Sequence, residues 1–215
     1  MGRRFAELAF TSAVKEQQTQ HGSREMYERV ERTGPVGDLL GPQEREFLSE
    51  RDGFYMGSTS ETGWPYIQYR GGETGFLRVV DDRTLAFADL RGNKQYISVG
   101  NLKQDDRVAL FLMDYARQRR LKILGRAEVH EGDAEAARLI ETLRVAGERT
   151  PVERAIVIRV EAFDWNCPQH IVPRYTEGEL AEALAPMRAK MASLEAENAR
   201  LRAAVGGNSV LSKEL

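Results

Sequence analysis

Cysteine is almost missing from this chain: Cys167 is the only one in 215 residues. An intrachain disulfide is therefore excluded, and a reducing compartment is expected. Histidine is nearly as scarce, with His21, His130 and His170 the only three. Cys167 and His170 make one C-x-x-H pair, but a closed zinc site needs four ligands and no second pair stands at suitable spacing. No apolar run approaches the ~18 residues of a membrane span. The opening Met-Gly-Arg-Arg-Phe lacks the apolar stretch of a signal peptide, and Ala6 stands where a myristoylation pattern wants Ser or Thr, so the cytoplasm is expected. Neither sign of charge dominates: 31 Lys and Arg against 33 Asp and Glu leave a net charge of -2. Nucleic acid and anionic membrane thus gain no bulk attraction, and any anion must be held by a local basic cluster. The sequence also contains no G-x-S-x-G, no Walker loop and no G-x-G-x-x-G.

Hydrophobic residues make up 41% of the chain, enough to bury a core in one domain with attachments. Residues 1–50 read as helical. Thr11 caps one helix, Gly22-Ser23 opens a second, and Pro42 starts a third over 42–51. From residue 53 the pattern changes to short β-rich runs: 53–58, 66–70, 77–80, 84–87, 107–115 and 121–129. The run Val108 to Met113 is continuously apolar and predicts a strand buried on both faces. Leu121, Ile123, Gly125, Ala127 and Val129 alternate with more polar residues, giving one inward face. A short helix is expected from Asn93 to Leu102, another over 133–146, and a last strand over 153–165. Closely spaced strands with one helical insertion point to a small barrel rather than a βαβ sheet.

The C-terminal segment carries a sharper signal. Thr176 and Glu179 fit a capping box. Leu180, Met187, Leu194 and Leu201 recur every seven residues, and so do Leu184, Met191, Asn198 and Val205. This is the a/d seam of a coiled coil with Asn198 at an a position, which favours a two-stranded, in-register pair. One amphipathic helix lying on its own barrel is the competing reading. Pro186 predicts a kink or a fresh start, and Gly206-Gly207 the helix end. The parts expected are a helical segment at 1–50, a barrel at 51–175, the coiled-coil helix at 176–207 and a loose tail at 208–215.

Basic and aromatic residues gather at strand ends: Tyr69-Arg70-Gly71-Gly72, Arg91 to Gln95, Arg117 to Arg120, and Trp165 to Arg174. Such ends can converge in an antiparallel barrel, and Arg forks with Asn93 and Lys94 would suit a phosphate monoester. Solvated turns are the simpler reading of the same residues.

The chain resembles the pyridoxamine 5'-phosphate oxidase family of FMN-binding split barrels over most of residues 5–175. Phe10 to Val14, Gly22-Ser23-Arg24, Gly63-Trp64-Pro65, Tyr69 to Gly72, Gly75-Phe76-Leu77, Gly92 to Tyr96, Asn101-Leu102, Leu124 to Ala127 and Trp165 to Ile171 carry the likeness. It implies an α+β, mainly β fold: a six-stranded antiparallel split barrel that forms a homodimer with FMN at the subunit interface. By position, Gln68, Tyr69, Arg70 and Gly71 line the flavin edge, Asn93 and Lys94 hold its phosphate, and Arg120, Trp165 and Arg174 approach the ring and its polar edge. His170 becomes the candidate substrate contact or proton donor. The sequence departs from authentic oxidases at Glu73, at His170 and Val172, and in the helix after residue 133. An oxidoreductase acting on another small molecule, with NADH or NADPH as a candidate donor, is the expectation. A flavin carrier or sensor without turnover, and a haem-binding barrel using His170 or His130, are the alternatives.

Overall fold

The computed structural model describes residues 1–165 and 169–211, so Cys167, with its neighbours Asn166 and Pro168, lies outside the described residues. Four helices come first: α1 (Arg3–Ala9), α2 (Ser12–Gln20), α3 (Arg24–Thr33) and α4 (Pro42–Ser49). Thr11 caps α2 as its sequence suggests, its hydroxyl accepting the Val14 N–H at 3.4 Å. At α4, Pro42 occupies the first turn and the Gly41 N–H donates to Glu44 Oε2 at 3.0 Å.

Seven strands follow rather than six: β1 (Gly53–Thr59), β2 (Pro65–Gly71), β3 (Arg78–Val79), β4 (Thr84–Leu90), β5 (Arg107–Asp114), β6 (Arg119–His130) and β7 (Val152–Trp165). Six is the count that the resemblance implies; the β-rich runs of the sequence number seven, and β3, only two residues long, falls within the run at 77–80. All pair antiparallel in the order β2-β1-β5-β6-β7-β4-β3. This is the mainly β architecture of a split barrel with helices packed around it. Alternation builds its core: Phe54 and Met56 of β1, Leu110 and Leu112 of β5, Leu121 and Ile123 of β6, and Ile156 and Ile158 of β7 are all buried. Each such side chain contributes roughly 1.5–3 kcal/mol of burial. Phe54 stacks on Phe76 and meets Phe87 edge-on, closing one end of the core.

The β5 strand departs from expectation. Val108, Leu110 and Leu112 are buried, but Ala109 and Phe111 are exposed and Met113 is half-buried. Only one face of this apolar strand is covered within the chain. The helix expected from Asn93 is also shorter: α5 spans Ile97–Leu102. Lys94 and Tyr96 adopt positive φ (60° and 53°), a left-handed conformation that a right-handed helix cannot include. The later helix, α6 (Ala134–Leu143), is capped by the Asp133 carboxylate accepting from the Ala136 N–H at 2.7 Å.

The chain divides into two compact units, Met1–Ile171 and Val172–Leu215. Among the described residues, the second holds one helix, α7 (Glu177–Leu211), of 35 residues. Its capping box forms, with the Thr176 N–H donating to Glu179 Oε2 at 2.8 Å and the Glu179 N–H to Thr176 Oγ1 at 3.2 Å. The helix runs through Pro186 with no fresh start there and, contrary to the sequence reading, continues past Gly206-Gly207. Proline forfeits one backbone bond there, but intact turns on both sides hold the helix together. Among the described residues, no helix is long and apolar enough to cross a membrane.

Candidate functional site

Antiparallel pairing puts directly opposed residues on one side of a sheet. Arg70, Gln68 and Tyr66 of β2 stand opposite Phe54, Met56 and Ser58 of β1 and share their inward face. Arg70 forms an ion pair with Asp89 of β4. These two strands are not neighbours in the ladder, so the pair bridges the curled sheet between β2 and β4. Helix α5 fills the space beside them. Ser98 Oγ donates to Gln68 Oε1 at 3.0 Å, and Asn101 Nδ2 donates to Ser58 Oγ at 3.0 Å.

The result is a depression of about 60 Å³ whose walls include Gln68, Arg70, Asn93, Lys94, Asp89 and Arg154. It adjoins a more open one of about 250 Å³ that shares Gln68, Arg70 and Asp89 and extends to Tyr69, Gly71 and Arg91. Whole small-molecule pockets typically measure ~300–1,000 Å³, so the smaller volume suits a headgroup rather than an entire cofactor. Three cations (Arg70, Lys94, Arg154) and two carboxylates (Asp89, Glu153) line it. Burial pushes the Asp89 carboxyl above its ordinary value, and Arg70 and Arg154 pull against that rise. Arg154 meets Glu131 and Glu153, each at 3.0 Å, and lies over the Tyr96 ring at 5.0 Å. Glu153 also accepts from Arg91 at 3.0 Å. Lys94, by contrast, is exposed and has no ion pair among the described residues. The Arg70 Nε is buried without a hydrogen-bond partner among the described residues. That orphaned donor, the uncompensated lysine and Asn93 form a donor set suited to a phosphoryl oxygen cluster. Lys94 and Tyr96, two non-glycine residues at positive φ within three positions, place backbone strain at this rim.

The other sequence candidates stand outside the smaller depression. Tyr69 points to the opposite face from Gln68 and Arg70, because neighbouring residues on a strand alternate. Its ring packs 5.4 Å from that of Tyr55 and lies across Gly53 and Gly71. Burial, then Asp52, raises its hydroxyl pKa. Trp165 is committed to α4: its indole N–H donates to Glu44 Oε1 at 2.8 Å, and its ring meets Phe47 and the Arg119 guanidinium. Eleven residues of β7 separate it from Arg154, on the order of 35 Å of strand at ~3.3 Å per residue. Arg120 lies over the Phe111 ring at 5.3 Å. His170 is exposed at positive φ (67°), beside Ile171, whose carbonyl accepts from Gln118 at 2.6 Å. Arg174 belongs to the second unit and is exposed ahead of its helix. Within one chain, then, Gln68, Arg70, Asn93 and Lys94 meet in a common depression, Gly71 borders its open side, and Tyr69, Arg120, Trp165 and His170 do not join its small polar end.

Asp89, Glu153 and Arg154 were missed, yet two of them carried a signal. Asp89 is in phase with inward Leu85 and Phe87, and Arg154 with inward Ile156 and Ile158. A charged residue at a core phase demands a partner of opposite sign.

The antiparallel, mainly β unit with its polar lip defines a split-barrel protein. The family model for pyridoxamine 5'-phosphate oxidase matches residues 40–166, and the chain belongs to that family. Among solved structures, it is similar to HupZ of Group A Streptococcus, with 18% identity, 63% of this chain and 99% of that one covered, and a TM-score of 0.47. An FMN-binding protein of Syntrophomonas wolfei subsp. wolfei is similar at 13% identity, with 72% and 95% covered and a TM-score of 0.44. A general stress protein 26-related protein of Clostridium acetobutylicum is similar at 16% identity, with 58% and 85% covered and a TM-score of 0.42. No curated protein matches the chain.

Proposed function

We propose that this protein binds FMN, with the phosphate in the depression between β2, β4 and the Asn93–Tyr96 turn, and uses it as an oxidoreductase on a small molecule. The observation carrying this reading is the convergence of Arg70, Asn93 and Lys94, distant in sequence, around one polar hollow. Flavin, when bound, supplies hydride chemistry; the protein supplies binding, orientation and electrostatics. Arg70 and Lys94 neutralise the phosphate, and Asn93 and Gln68 offer polar edges.

The same reading includes a homodimer. The outward face of β1, β2 and β5 carries an apolar hollow of about 590 Å³ lined by Tyr55, Ile67, Ala109, Phe111 and Phe5. Ile67 is 69% exposed and Phe111 37%. A partner subunit that covered this face would bury β5 on both sides, as its continuously apolar sequence demands, and could bring further walls to a hollow too small for a whole flavin. On this reading Arg120, Trp165 and His170 approach the flavin from the second subunit.

The test is the absorption spectrum of the purified protein and the mass of the compound released by heat, with FMN expected. Arg70→Ala or Lys94→Ala removes a charge-assisted bond of roughly 1.5–3 kcal/mol, so FMN affinity falls about 10- to 150-fold in a fluorescence titration. A colourless protein that takes up no added FMN overturns the proposal. Bleaching of the bound flavin by NADH or NADPH, with oxygen consumption, distinguishes an oxidoreductase from a carrier.

A further inference from the structure

The flavin reading leaves α7 without a role. Every described side chain of this helix is exposed, including Leu180, Leu184, Met187, Met191, Leu194 and Leu201, with Met187 61% exposed. A seven-residue apolar period on a helix of 35 residues is the pattern of a supercoiled partner rather than of a flat surface. We propose that α7 pairs with α7 of a second copy of this chain as a parallel, in-register, two-stranded coiled coil.

Charge and polarity choose this occupant. With Leu184, Met191 and Asn198 at a and Met187, Leu194 and Leu201 at d, the charged g positions are Lys190 and Glu197. The e positions one half-turn beyond the next seam layer are Glu195 and Arg202. In a parallel, in-register pair each g residue faces the e residue five positions later on the other helix. Lys190 then faces Glu195, and Glu197 faces Arg202, so both pairs are attractive on both sides of the dyad. Arg188, the remaining charged e residue, faces Ala183. An antiparallel pair can also match these charges, but Asn198 separates the two arrangements. In the parallel pair it meets the other copy's Asn198 and their amides hydrogen-bond. In the antiparallel pair it meets a d residue such as Met187 and is left buried without a partner. Pro186 falls at a c position, on the outer side of the seam, where its ring does not obstruct a second helix.

Site-directed cross-linking of the full chain tests this. Cys167 is replaced by serine, so that an added cysteine is the only one. Met191→Cys, at an a position, should form a covalent dimer in near-quantitative yield under mild oxidation, while Ala196→Cys, on the outer f position, should not. Lys190→Glu should lower the Met191→Cys yield severalfold, and adding Glu195→Lys should restore it. Cross-linking that occurs only when Met191→Cys is mixed with Leu194→Cys chains means an antiparallel pair and overturns the proposal. Absence of any cross-link from either position means the helix does not pair with itself, and overturns it too. The bound-flavin spectrum of the same variants reports on the barrel separately, so failure here and failure of the flavin reading are told apart.

Discussion

At single positions, small differences in what surrounds an atom decide large differences in consequence. Lys94 contributes both a charge and a left-handed backbone to the pocket rim. Lys94→Asn separates the two, because Asn tolerates that conformation while removing the charge. Its expected outcome is an unchanged melting temperature with FMN affinity reduced about tenfold or more, read by calorimetry and titration. Glycines show the same contrast. A Cβ at Gly125 would lie 2.6 Å from the Arg159 carbonyl oxygen and 3.0 Å from an Ile158 methyl, where β6 and β7 shift register. Gly125→Ala should therefore destabilise the protein by about 1–3 kcal/mol in urea denaturation. At Gly53 the three atoms nearest an added Cβ all belong to the Tyr69 side chain, which is exposed and able to swing aside, so Gly53→Ala should cost far less.

At the level of elements, ion pairs fasten helices to strands. Arg51, just past α4, donates to the carbonyls of Phe47 at 3.1 Å and Met113 at 3.2 Å, and lies 3.6 Å from the Asp114 carboxylate. Burial raises the Asp114 pKa, but the Arg117 N–H and guanidinium, with Arg51, outweigh it and hold the carboxyl below its ordinary 3.8. A depressed folded value means stability that is present above pH ~3.8 and lost as pH falls through the folded value. Asp114→Asn should cost about 1.5–3 kcal/mol at neutral pH and flatten that acid limb of the stability profile. The elements themselves were largely legible in the sequence. Period-2 alternation marked β6 and β7, Thr11 and Pro42 marked their helices, and Thr176 with Glu179 marked the start of α7. What escaped were features set by tertiary context. The start of α5 depends on two left-handed residues that are not glycine, and helix α7 continues past a Gly-Gly pair. For the site, the convergence of Arg70, Asn93 and Lys94 followed the resemblance. Tyr69, assigned with its neighbours to one surface, lines only the wider hollow, because successive residues of a strand face opposite ways.

For the molecule as a whole, the apolar outer face of β5 is the feature that a single chain leaves unresolved. Phe111→Glu plants a charge in it, at a residue that does not line the phosphate hollow. If a second subunit covers this face and helps complete the cofactor site, that variant should keep its far-UV circular dichroism yet lose FMN at concentrations that saturate the unaltered protein. Retention of full FMN affinity would show that the outer face and the cofactor are independent. The Arg70–Asp89 bridge adds a further consequence at this scale. On the proposed reading, the guanidinium that ties β2 to β4 through its Nη1 would offer its Nε to an arriving anion. One planar group would then hold the barrel to itself and the phosphate to the barrel, so fixing one side of the fork fixes the other, and a filled site should exchange its β2 and β4 amide hydrogens more slowly than an empty one.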